Sequence, residues 1–274
     1  MAYLGVDTGG TFTDFILFEP NSGEVSIHKV LSTPEAPELA ILQGLADLDI
    51  DTGNLLLVHG STVATNAVLE GKGVRTVYIA NRGLADVLRI GRQSRKELYN
   101  LQPENKPPLI PSKFCLEVDS RLGADSEVLS SMDDDHLQQL CRQVDTLEPQ
   151  AVAINLLFSF IDDTEEKRIE AALRQHGKDA LFISRSSDVL PEYREYERGI
   201  ATTLNAYVGP LMQGYLHRLE REIPGARLAV MQSSGGTASA HHAGRYAVQL
   251  LLSGPAGGLR GAQFTASRSG FERL

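Results

Sequence analysis

Apolar residues recur in two rhythms along this chain. Residues 3–31 follow a period of two in three short runs. These are Tyr3–Val6, then Thr11–Phe18 with Phe12, Phe15 and Leu17 on or near one face, then Val25–Leu31 after the turn signal Pro20-Asn21-Ser22-Gly23. This alternation predicts a three-stranded meander. Pro34–Leu48 predicts a helix with Glu35 and Glu38 near its positive end. Leu55–His59 and Val74–Ala80 are continuous apolar runs of the kind buried on both faces, and a helix from Val63 to about Glu70 lies between them. Strand–helix–strand at this spacing argues for α/β packing.

Further along, Pro103–Pro111 predicts a loop and Phe114–Leu122 a strand. Asp133–Leu147 predicts an amphipathic helix whose acidic start is Asp133-Asp134-Asp135. Ala151–Phe158 and Leu181–Ser184 read as strands around a helix at Thr164–His176. One long helical stretch runs from Pro191 to Glu222, with a break expected at Gly209-Pro210, and links two lobes. Glu192, Arg194, Glu195, Glu197 and Arg198 read as its charged face, and Leu204, Val208, Leu211 and Leu216 as its apolar one. Leu228–Gln232 is a strand, and Ser253–Gly258 opens a small-residue helix that runs to about Ala266.

The 274 residues carry 26 Lys+Arg and 35 Asp+Glu, a net charge of −9. An acidic chain repels phosphate backbones and anionic headgroups, so no nucleic-acid or membrane partner is expected. Two cysteines build neither a disulfide framework nor a zinc cluster, and a reducing, cytoplasmic setting is the default.

Four stretches could carry chemistry. In Asp7-Thr8-Gly9-Gly10-Thr11-Phe12-Thr13-Asp14, a Gly-Gly tip lets backbone N–H groups approach an anion, the threonines add hydroxyls, and Asp7 is placed to hold Mg²⁺ or its water shell. A plain hairpin turn is the rival reading. His59-Gly60-Ser61-Thr62 with Asn66 lies at the end of a parallel-type strand, where open α/β sheets place ligands, although Ser61 or Thr62 could simply cap the helix. Arg92 and Arg95 could face a carboxylate or phosphate, or solvent. Gly254, Gly257 and Gly258 could meet a phosphate or a neighbouring helix.

At Gly5-Val6-Asp7-Thr8-Gly9-Gly10-Thr11-Phe12-Thr13-Asp14 the chain resembles the N-terminal part of the hydantoinase A / 5-oxoprolinase family. The segments at 59–70, 90–95, 190–198 with 204–208, and 251–258 follow in family order. The resemblance implies an α/β fold of the actin-like ATPase type built from ribonuclease-H-like lobes. Residues 1–190 would form the first lobe, and residues 191–274 the linking helix and the start of an incomplete second lobe. It implies ATP and Mg²⁺ as cofactors and a small cyclic amide or imide as substrate, with a partner subunit of the hydantoinase B type and an oligomeric assembly. Asp7 would hold the metal, and Thr8, Gly9, Gly10, Thr11, Thr13 and Asp14 would surround phosphate with Gly254, Gly257 and Gly258. His59, Thr62, Asn66, Arg92 and Arg95 would face the substrate. A second Asp-x-Gly-Gly-Thr hairpin is expected after the small-residue helix. Its absence here marks the chain as a fragment or a short relative. A ketone carboxylase subunit and a non-catalytic nucleotide-binding lobe are the alternatives.

Overall fold

The computed structural model describes residues 1–94, 97–102, 107–177 and 180–271. In chain order come β1 (Ala2–Thr8), β2 (Phe12–Glu19), β3 (Glu24–Leu31), α1 (Pro37–Asp47), β4 (Leu55–Ser61), α2 (Val63–Leu69), β5 (Thr76–Asn81) and α3 (Val87–Ile90). Next are β6 (Cys115–Val118), β7 (Arg121–Leu122), β8 (Val128–Ser130), α4 (Asp134–Leu147), β9 (Ala151–Asn155), α5 (Thr164–Gln175), β10 (Phe182–Arg185) and α6 (Ser186–Val189). The last are α7 (Glu195–Glu222), β11 (Arg227–Met231), β12 (Thr237–Ser239), α8 (Ala240–Arg245) and α9 (Ser253–Arg268).

Two compact units divide these elements. One combines residues 1–72 with 211–274, and the other is residues 73–210. In the first, a six-stranded sheet has the order β12-β11-β4-β1-β2-β3. The meander β1–β3 is antiparallel, while β4 runs parallel to β1 and β11 parallel to β4. Period-two alternation sends Leu4, Val6, Phe15, Leu17, Val30, Leu55 and Leu57 into one core. Ala40, Ile41 and Leu45 of α1 cover it together with Leu219 of α7 and Ile223 just beyond that helix. Each such aliphatic side chain contributes about 1.5–3 kcal/mol through burial. Gly44 lets α1 approach this sheet, because a Cβ there would lie 2.2 Å from the Phe15 ring. Phe12 does not join Phe15 and Leu17. Its alternation places it on the opposite face, where it is exposed.

The second unit holds four parallel strands in the order β10-β9-β5-β6. Both β5 and β9 are buried along their whole length, as parallel strands covered on two faces must be. Leu137, Leu140, Cys141 and Val144 of α4 and Ile169 and Leu173 of α5 pack with Val77, Ile79, Val152 and Ile154. Tyr78, Ala80, Ala151 and Ala153 build a second cluster with Ala206 of α7. Asp133 caps α4 by accepting the His136 N–H at 2.8 Å, as its acidic start predicts.

Several expectations change. The strand expected to reach Phe158 stops at Asn155, because the chain turns over Leu156–Ile161. The Phe114–Leu122 strand splits into β6 and β7. No break occurs at Gly209-Pro210, and α7 runs through as one 28-residue helix. Gly209 is there for packing, since a Cβ would lie 2.3 Å from the Phe182 ring. Val208 and Leu216 of the apolar face are buried, and Leu211 is the exposed one. Arg198 leaves the expected charged face and lies in the interior, 1% exposed. Among the described residues no helix is long and apolar enough to cross a membrane.

Candidate active site

The β1–β2 hairpin sorts its candidate residues by face. Asp7 stands opposite Asp14, and Thr8 opposite Thr13. The threonines therefore point with Val6 and Phe15 towards the core, and the aspartates point the other way. Thr13 is fully buried and its hydroxyl lies 3.0 Å from that of Ser32, so it ties β2 to the segment leaving β3. Thr8 is 3% exposed, and its Oγ1 has no hydrogen-bond partner among the described residues. The turn closes through the Gly9 N–H, which donates to the Phe12 carbonyl at 3.0 Å. A Cβ on Gly9 would sit 3.1 Å from that carbonyl oxygen, whereas one on Gly10 would meet nothing within 4 Å. Gly9 therefore shapes the turn, and Gly10 leaves an open approach beside the exposed Thr11.

Asp7 lies across the neighbouring strand. A Cβ on Gly60 would come 3.2 Å from Asp7 Oδ1, so glycine at this position makes room for the carboxylate. Partial burial, and then the charge of Asp14, raise the Asp7 pKa above its ordinary value. Lys29 offsets Asp14 through a 2.8 Å ion pair.

Three segments meet at this edge of the sheet. The Thr62 hydroxyl donates to the Thr8 carbonyl at 3.2 Å, and Asn66 Nδ2 reaches Thr62 Oγ1 at 3.4 Å. Ser61 Oγ accepts the Val63 N–H at 3.2 Å, which gives Ser61 a helix-entry role. The start of α9 is fastened here too. The Leu252 N–H donates to Thr65 Oγ1 at 3.1 Å, and Ser253 Oγ donates to the Ser61 carbonyl at 3.3 Å. Leu252 takes the left-handed conformation, φ 62°, to make that entry. Gly254 and Gly258 face open space. Gly257 instead packs on β11, where a Cβ would lie 3.1 Å from Met231 Sδ.

His59 is not at this surface. It pairs in register with Val6 rather than Asp7, so alternation turns it to the buried face. There a 2.7 Å hydrogen bond joins Nε2 to the Tyr215 hydroxyl, and burial lowers its pKa to about 4. Arg92 belongs to the unit of residues 73–210, where it pairs with Glu197. Arg95 lies outside the described residues. Asp7, Thr8, Gly9, Gly10, Thr11, Thr62, Asn66 and Gly254 are thus gathered within one unit. Lys29 is the residue that sequence reasoning missed, whereas Gly60 and Ser253 stood inside the candidate stretches without a role of their own; Gly60 carried a signal, as a glycine inside an apolar strand.

The order β3-β2-β1-β4-β11, with β2 alone antiparallel to β1 and β3, is that of a ribonuclease-H-like lobe, the unit from which actin-like ATPase folds are built. The chain belongs to the hydantoinase/oxoprolinase family. The profile for its N-terminal region matches residues 3–177, and the hydantoinase/oxoprolinase profile matches residues 198–274. Caprolactamase subunit alpha of Pseudomonas jessenii is 34% identical over 269 residues, covering 92% of this chain and 38% of that protein. 5-Oxoprolinase 1 of Arabidopsis thaliana is 28% identical, covering 93% of this chain and 23% of that one. Among solved structures, ATP-dependent caprolactamase from P. jessenii superposes with a TM-score of 0.84 at 30% identity, covering 98% of this chain and 41% of that one. Nucleotide-free acetone carboxylase superposes at 0.86 and 24% identity with the same coverage, which shows the fold alone. The chain spans about two fifths or less of these relatives.

Proposed function

We propose that this chain is the phosphate-binding part of an ATP-dependent hydrolase that opens a small cyclic amide or imide. The carrying observation is the open Gly10 tip beside Asp7, whose carboxylate lies over Gly60 and next to Asp14. The residues fit a magnesium nucleotide. Gly10 leaves backbone approach free, and Asp7 is a carboxylate unmatched by an ion pair in the described residues. Among the described residues no three His, Cys, Asp or Glu side chains gather as a metal cage. A magnesium ion held by Asp7, waters and phosphate oxygens needs no such cage.

When bound, Mg·ATP supplies the phosphoryl group that activates the carbonyl oxygen of the cyclic substrate. Asp7 would hold the metal, and Lys29 pairs with the neighbouring Asp14 and lessens its repulsion of Asp7. The hairpin amides at Gly10 and Thr11 and the first-turn amide of α9 at Gly254 orient phosphate oxygens. Thr13 and Gly257 brace this frame from behind. Thr62 holds the Thr8 carbonyl, with Asn66 behind it, and would face the substrate side, and His59 positions β4 from the core. A hydantoinase B-type subunit would complete the assembly. The name caprolactamase subunit alpha supports this, and its 34% identity favours ring opening over ketone carboxylation.

The test uses the natural full-length protein with its copurifying subunit. Phosphate release from ATP stimulated by 5-oxoproline, hydantoin or caprolactam supports the reading, and Asp7→Asn should lower it by about 10²–10³-fold. Turnover with acetone and bicarbonate but with no cyclic amide would replace it by the carboxylase reading. Absence of nucleotide binding would leave a non-catalytic lobe.

A further inference from the structure

The β1–β3 meander has two unequal faces. One packs into the core under α1 and α7. The other is open to solvent, and cross-strand register orders it in rows that run over all three strands. Tyr3, Phe18 and Val25 form one row, and Gly5, Ile16 and Ile27 the next. Asp7, Asp14 and Lys29 form a third, with Phe12 and Leu31 paired beyond it. The large apolar side chains of this face are each 40–77% exposed. Together they leave on the order of 700 Å² in water. That exceeds the roughly 300–600 Å² of a typical monomer's largest apolar patch, and it approaches the ~800 Å² that each partner gives to a standard interface.

The relief of these rows is self-complementary. In the middle row Ile27 stands out on β3, Ile16 is central, and Gly5 leaves a gap on β1, where a Cβ would meet only the Ile16 carbonyl oxygen at 3.9 Å. Neighbouring strands lie about 4.8 Å apart, so knob and gap flank β2 at equal distances. A two-fold axis parallel to β2 brings two such faces together with their strands aligned, as in an aligned sandwich. It sets Ile27 of each copy over Gly5 of the other, and Ile16 against Ile16. In the next row Val25 meets Tyr3, whose ring lies 6.4 Å from that of Phe18. In the charged row the same axis carries Lys29 over Asp7 of the other copy. Lys29 keeps its 2.8 Å pair with Asp14, and Asp7 gains the cation that it lacks among the described residues.

We infer that the open face of the meander is the surface through which two copies of this chain pair, in an isologous contact about an axis along β2. Other ways of joining two copies waste the pattern. An axis across the strands would set Ile27 on Ile27, face one Gly5 gap with another, and press the apolar Tyr3 row onto the charged one. Pairing along the β3 edge would leave both apolar faces in water. The inference does not rest on the nucleotide reading. Asp7 takes part in both, so the pairing belongs to the nucleotide-free chain, and its test contains no nucleotide.

The test is sedimentation velocity of the full chain at rising concentration. A closed dimer with a Kd of about 1 μM or tighter is expected, the weak end for an interface of this size. Ile27→Glu should raise that Kd about tenfold or more. Gly5→Leu fills the gap and should do the same without lowering the melting temperature, since its side chain enters open space and glycine inside a strand is unfavourable. Lys29→Asp should weaken the dimer, and adding Asp7→Lys to it should restore the affinity by exchanging the charges across the axis. Leu69→Glu, at an equally exposed position on α2, should leave the dimer unchanged. A monomer at every concentration, open-ended association, a dimer indifferent to Gly5→Leu, or no recovery on charge exchange overturns the inference.

Discussion

Asp7 and Asp14 face each other across the β1–β2 ladder, and Lys29 forms its ion pair with Asp14. Asp7 is left as the carboxylate with a raised pKa. A raised value in the folded protein means that the ionised form is disfavoured there. Above that pKa the folded state carries a penalty, and below the ordinary aspartate value both states are protonated and the penalty vanishes. Asp7→Asn should therefore stabilise the protein at pH 7 by about 0.5 kcal/mol, and the gain should fade in acid. The same variant should lose the stabilisation by Mg·ATP, roughly 2.7 kcal/mol at 100-fold over Kd. Thermal unfolding with and without nucleotide reads both effects.

His59 predicts a separate acid sensitivity. Its pKa of about 4 lies below the 6.5 of an unfolded histidine. Between those values the unfolded chain takes up a proton that the folded protein refuses, so stability falls as pH drops from 6.5 towards 4 and is independent of this group above 6.5. The full effect is about 3 kcal/mol. Urea unfolding across this window should show a flatter profile in His59→Gln. Tyr215→Phe, which strands Nε2, should cost about 1–3 kcal/mol.

Gly44→Ala sets helix propensity against packing. Alanine would favour α1 by about 1 kcal/mol. The added Cβ would lie 2.2 Å from the Phe15 ring, which is boxed in by Leu4, Ile41 and their neighbours. Overpacking of this kind costs about 1–3 kcal/mol. The net change should be destabilising, measurable as a lower urea midpoint.

Glu166→Gln should destabilise by about 3 kcal/mol. The carboxylate accepts Leu156 N–H, Ser186 Oγ–H and Ser187 N–H, at 2.9, 2.6 and 2.9 Å. An amide would turn an NH₂ towards one of these donors. Hydrogen exchange at Leu156 and Ser187 should rise before that of the β5 amides.

The meander, β4, α2 and the parallel strands were legible because their apolar periodicity is local. So was the hairpin, since Gly-Gly between two alternating runs states its own geometry. What escaped depends on partners distant in sequence. Arg198 sits among charged residues of a helix, and nothing local says that the Leu156 carbonyl waits for it. His59 ends an apolar strand next to a plausible site, and the face it takes is decided by its register with Val6. The reach of β9 was overestimated because Leu156–Phe158 continues the apolar run, while Asn81 and Glu166 turn the backbone away. Gly257 looked like Gly254 in sequence, and Met231 separates their roles.

The sheet of the first unit draws β4 and β11 together across about 170 residues of chain. On a ribosome this sets an order of events. Residues 73–210 are contiguous and carry their own core, so they can fold as soon as they emerge. The meander must wait, with the β11 side of β4 unpaired, until residue 231 has been made. During that interval β4 is an open edge in a nascent chain, where a premature partner would do the most harm.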